Sequence, residues 1–78
     1  MIGSVDIVSD EEWWKGLRPR EREIARLVAR GLSNKEIARE LGLTEGGVKG
    51  HLHSVFQKLG IRRRSDLIIL AVSQGAVP

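Results

Sequence analysis

Seventy-eight residues without a single cysteine leave room for one small hydrophobic core and for no disulfide or thiolate–metal staple. The longest apolar run, "LIILAV" at 67–72, is far short of the roughly 18 residues a membrane span needs, so neither a span nor a signal peptide is expected, and the expected setting is the cytoplasm. The formal net charge of +3 is unevenly spread: Asp6, Asp10, Glu11 and Glu12 give residues 1–12 a charge of −4 with no Lys or Arg, while the remainder carries a surplus of +7. Such a surplus is either a solvated surface or the footprint of a polyanionic partner.

Residues 1–16 have no helical period and no strand partner, and they read as an acidic linker or tail. The adjacent Trp13 and Trp14 at its end are expected to cover the edge of a small core rather than to stack on bases. A folded domain is expected over 17–75. Its first helix opens with Pro19 at a position where a missing N–H costs nothing, and Glu21 and Glu23 suit the positive end of the helix dipole. Ile24, Leu27 and Val28 recur at i, i+3, i+4 as one buried stripe, and Gly31 stops the helix. Ser33 and Glu36 form a capping box for a second helix with Ile37, Ala38 and Leu41 on its apolar face, closed by Gly42. Thr44 caps a third helix, which buries Val48, Leu52, Val55, Phe56 and Leu59 and ends at Gly60. After "IRRR", Ser65 is expected to cap a last helix from Asp66 to about Gln74, stopped by Gly75. With no strand pattern and no repeat, the chain is expected to be an all-α, four-helix domain.

The second and third helices are separated only by "GLT", which predicts a helix-turn-helix over about 34–53. At 100° per residue, the face of the third helix opposite its core is centred on Gly46, Gly50 and Gln57, with His53 and Ser54 beside them. Lys49 lies on one flank and Lys58 on the other, and the nearest carboxylate is Glu45 in the first turn. A helix with such a face can enter the major groove of duplex DNA.

The stretch "LRPREREIARLVARGLSNKEIARELGLTEGGVKGHLHSVFQKLGIRRRSDLIILAV", residues 17–72, resembles the LuxR/GerE-type DNA-binding domain of bacterial response regulators and quorum-sensing receptors. The motifs "PRE", "GLSNKEIA", "VKGH" and "KLGI" come in that family's order and spacing. The resemblance implies a transcription regulator whose third helix lies in the major groove. It also implies a fourth helix that pairs two copies on a two-fold site, with RNA polymerase as a further partner. Carried over by position, Lys49, Gly50 and His53 face the groove, and Asn34, Lys35 and Thr44 touch the DNA backbone or cap the helices that do.

This chain departs from the family pattern in two places. Arg18 stands where the family usually has a capping Thr before "PRE", at a cost of about 1 kcal/mol. Gly46, Gly47 and Gly50 stand where the family usually has Lys, Thr or similar side chains. Each glycine costs roughly 0.8–1 kcal/mol against Ala in a helix interior, and less in the first turn. Either the backbone there approaches DNA more closely than a side chain allows, or direct base readout has given way to backbone contacts.

The rival reading is a protein-interaction or dimerisation module without DNA binding. Leu67, Leu70 and Ala71 can serve the core, which leaves Ile68, Ile69 and Val72 seeking a partner. No metal site or cofactor is expected: on a helix His51 and His53 point about 200° apart, so "HLH" cannot share an ion. His51 lies near the core edge, whereas His53 faces outward. No nucleophile–base pair or phosphate-binding glycine loop is present, so an enzyme is not expected. The "RRR" at 62–64 is either a solvated charge run or a contact to phosphates.

Overall fold

In a computed structural model of the chain, residues 14–73 are described. They form four helices and no strand: α1 (Pro19–Ala29), α2 (Asn34–Leu41), α3 (Glu45–Leu59) and α4 (Arg64–Ser73). The fold is all-α, as the apolar periods require. Helix α1 lies at the centre of the packing, against both α3 and α4, while α2 packs on α3 and touches α1. Ile24, Val28, Ile37, Val48, Val55 and Leu67 are fully buried, and each helix contributes at least one of them.

The termini show why the helices fall where they do. Arg18 precedes α1 and its side chain has no acceptor to cap with, but its N–H donates to Glu21 Oε1 at 2.8 Å. Ser33 and Glu36 form a complete capping box on α2: Glu36 N–H donates to Ser33 Oγ at 3.1 Å, and Ser33 N–H donates to Glu36 Oε1 at 2.8 Å. Between α2 and α3, Gly42 adopts φ +69°, a left-handed conformation that spares the chain a Cβ clash, and Leu43 N–H donates to Ala38 O at 2.8 Å. Thr44 Oγ1 then accepts from Gly47 N–H at 2.9 Å and starts α3.

Two sequence expectations are corrected. Helix α4 begins at Arg64, not Asp66, so Ser65 lies inside it; Asp66 Oδ2 accepts from Arg63 N–H at 3.2 Å, which ties the residue just before the helix to its first turn. Ile68 packs against the core as a half-buried residue, whereas Leu70, expected in the core, does not join it. Trp14 belongs to the core, with the Arg26 guanidinium 5.1 Å from its ring centre. Among the described residues, core packing thus includes Trp14, three residues before Leu17. The linker expected over 1–16 lies outside the described residues up to Trp13, as do Trp13 itself, Gln74 and Gly75. Among the described residues no helix is long and apolar enough to cross a membrane.

Candidate nucleic-acid interface

The tight Gly42–Leu43–Thr44 turn sets α3 across α2 and turns one side of α3 outward. Glu45, Gly46, Gly47, Lys49, Gly50, His53 and Gln57 are exposed there, as are Lys35 on α2 and Thr44 in the turn. Between α2, α3 and α4 runs an open groove of about 250 Å³, lined by Asn34, Lys49, Leu52, His53, Phe56 and Arg64. Lys49, Leu52, His53 and Phe56 are spaced i, i+3, i+4, i+7, so the groove follows one flank of α3, floored by Leu52 and Phe56. Asn34 and Arg64 close its far side: Arg64 donates from one Nη to Asn34 Oδ1 and from the other to Leu32 O, both at 2.6 Å. No carboxylate lines this groove.

The glycines leave the other part of the face bare. A Cβ added at Gly50 would meet nothing within 4 Å, and one at Gly46 would only graze Thr44 Oγ1 at 4.0 Å. At Gly47 it would press on the capping Thr44 Oγ1 at 3.2 Å. Nothing in the folded domain therefore requires glycine at 46 or 50.

Lys58, expected on the DNA-facing flank, is exposed and reaches α1. Its Nζ lies 2.9 Å from Glu21 Oε1, and its side chain is 38% exposed against 6% for Glu21. The Arg18 N–H, and after it the Lys58 ammonium, hold the Glu21 carboxyl below its ordinary pKa, against a desolvation that pushes it up. The Ser33 N–H likewise lowers the pKa of Glu36. On α4, Ile69 and Val72 stand 65% and 56% exposed, while Ile68 is half-buried. Arg64 lines the groove, and sequence reasoning did not single it out. The "RRR" run drew notice, but nothing local distinguishes Arg64 from Arg62 and Arg63.

A short helix, a glycine-led turn and a longer helix with a carboxylate-poor face define a helix-turn-helix domain of the DNA-binding class. The profile of the bacterial regulatory proteins of the luxR family matches residues 15–71. The chain is 43% identical over 63 residues to a putative HTH-type transcriptional regulator of Mycobacterium bovis, Mb0914c, covering 81% of this chain and 7% of that protein. It is also 43% identical over 67 residues to the transcriptional regulatory protein MctR of Rhizobium johnstonii, covering 86% of this chain and 31% of MctR. Over 53 residues it is 43% identical to the nitrate/nitrite response regulator protein NarL of Escherichia coli, covering 68% of this chain and 24% of NarL. The chain thus belongs to the LuxR family of bacterial regulatory proteins, a class of DNA-binding transcription regulators. It spans less than a third of the length of these three relatives.

Proposed function

We propose that this domain binds duplex DNA through α3 in the major groove, acts by binding rather than by catalysis, and pairs with a second copy through α4 on a two-fold site. The observation that carries the reading is the face of α3, where Lys49 and His53 line a groove free of carboxylates beside Asn34 and Arg64. Lys35, Asn34 and Thr44 serve the DNA backbone; Glu45, Lys49, His53 and Gln57 are left to meet base edges, with Gly46 and Gly50 between them. Lys58 contributes less to this surface than its place on α3 implies, because its charge is matched by Glu21.

Binding to arbitrary duplex DNA is expected to weaken steeply as salt rises, since each neutralised phosphate releases counterions. Lys49→Ala should weaken binding about 5- to 30-fold, the loss of one contact of about 1–2 kcal/mol, with helicity and thermal midpoint unchanged. Titrations of fluorescent duplex at about 50 and 300 mM salt check both statements, and equal affinity at the two salts contradicts the reading.

The exposed Ile69 and Val72 give the rival interaction module its support, and pairing through α4 accommodates them. Ile69→Glu should abolish cooperative binding to a two-fold site while leaving the monomer folded. Ile68→Glu should also lower the melting midpoint, because Ile68 packs on the core. Sedimentation and gel-shift titration of both variants separate these effects. Cooperative binding unchanged in Ile69→Glu removes α4 from the contact, and dimerisation without salt-sensitive DNA binding favours the rival.

A further inference from the structure

Four arginines recur every fourth residue along α1 and its two caps, Arg18, Arg22, Arg26 and Arg30, and all are exposed. Four residues advance about 6 Å along a helix and turn by about 40° beyond a full circle, so the arginines form one stripe on the outer side of α1. Ile24, Ala25, Val28 and Ala29 are buried on the other side, where α1 packs against α3 and α4.

The chain that leads into α1 lies along this stripe and runs antiparallel to the helix. Arg22 donates from Nε to Leu17 O at 3.1 Å and from Nη2 to Lys15 O at 3.4 Å. One turn further along α1, the Arg26 guanidinium lies 5.1 Å from the centre of the Trp14 ring. Traced back from Leu17 to Trp14, the chain thus meets the arginine of one turn and then that of the next. Arg30 comes one turn later, and among the described residues its guanidinium has no ion-pair or hydrogen-bond partner. The residues next in line before Trp13 are Glu12, Glu11 and Asp10. A positive charge at the end of α1 suits the helix dipole, but the dipole selects no partner.

We propose that Asp10, Glu11 and Glu12 continue this course and dock on Arg26 and Arg30, so that the outer face of α1 is the seat of the acidic segment. The charges are complementary, and the three carboxylates lie two to four residues before Trp14. An extended chain of that length covers about 7–14 Å, enough to reach Arg30 about 6 Å beyond Arg26. The dock holds the carboxylates on the side of α1 turned away from its packing with α3, so they do not compete with a polyanion for the α3 groove. The inference stands apart from the DNA-binding reading and survives its failure.

The test uses the whole chain with Ser9→Cys, which carries a nitroxide on the only cysteine present. Trp14 already sits by Arg26, so the tether alone broadens some amide resonances nearby, and the dock is read from what depends on charge. Broadening at residues 26–31 should weaken in Arg30→Glu, the docked-to-free ratio falling about 5-fold as an exposed ion pair gives way to repulsion. Glu11→Gln/Glu12→Gln should weaken it similarly, and so should about 1 M salt, which screens exposed charges. The glutamine pair decides the matter if Arg30→Glu fails to fold, as circular dichroism would report. Broadening indifferent to these changes overturns the proposal, because the tether then explains it. Broadening centred on residues 49–57 of α3 also overturns it and puts the carboxylates in competition with DNA. Broadening passed to isotope-labelled, nitroxide-free copies in a mixed sample marks a contact between molecules and overturns it too.

Discussion

Replacing Glu21 with Ala is expected to lower the melting midpoint by about 8–15 °C, the largest single effect among the polar residues of the fold. The substitution removes the acceptor of the Arg18 N–H at 2.8 Å and the partner of Lys58 at 2.9 Å in one step. The first loss releases a helix-start amide. The second leaves an ammonium without its counter-charge, discounted because Lys58 is 38% exposed. Together they come to about 2 kcal/mol, and a domain of this size shifts by about 4–8 °C per kcal/mol. The same pair sets an acid dependence. Glu21 binds its proton less readily folded than unfolded, where its carboxyl titrates near 4.5. Its stabilising contribution is therefore fully present above that pH and is lost as pH falls through the lower, folded-state value. Glu36 acts in the same direction. Thermal melts at pH 7 and at descending acid pH, on wild type and Glu21→Gln, check this. The variant should be less stable at neutral pH and lose less on acidification; parallel curves would show that Glu21 does not set the dependence.

Filling the glycine gaps should move stability the other way. The double variant Gly46→Ala/Gly50→Ala is expected to gain about 1–1.5 kcal/mol, raising the midpoint by about 4–12 °C, because both added methyls enter open space. Gly47→Ala should gain little, since its Cβ would sit 3.2 Å from the hydroxyl that caps the helix. Glycines also offer no donor, acceptor or methyl to a base edge, so the unmodified domain should discriminate weakly between sequences. Amide exchange at residues 45–50 should be fast in the free protein and slow on DNA. Gly46→Lys and Gly50→Thr should change site preference more than total affinity. Selection from a random duplex library measures this directly, and a single long motif chosen sharply by wild type would contradict it.

The helices were legible because their signals are local. Ser33 with Glu36, Thr44, and the glycines at 42 and 60 act within a turn of the chain, and the 3.6-residue stripe of α3 marks its buried face without knowledge of its neighbours. What the sequence concealed depends on partners far along the chain. Lys58 reads as a groove-flanking cation, and only the fold brings Glu21 to it across 37 residues. Arg64 is one of three identical residues until the packing of α4 sets it beside Asn34, 30 residues away. The start of α4 was misplaced for a subtler reason: Ser65 is a good cap by type, but Asp66 reaches back three residues to the Arg63 amide and ties the residue just before the helix to its first turn. On a helix as apolar as α4, periodicity alone could not rank Ile68 above Leu70 as a core contact.

The open space around positions 46 and 50 also bears on how such a domain can diversify. New binding specificity usually arrives at the expense of stability, because the substitutions that create it disturb packing or capping. Here a mutation from glycine to most residues at either position adds helix propensity, brings a Cβ that meets at most the Thr44 hydroxyl at 4.0 Å, and places a new chemical group on the outer side of α3. Novelty and robustness rise together at these two codons. A lineage carrying this sequence could explore new operator sites by single steps, each leaving the protein better folded than before.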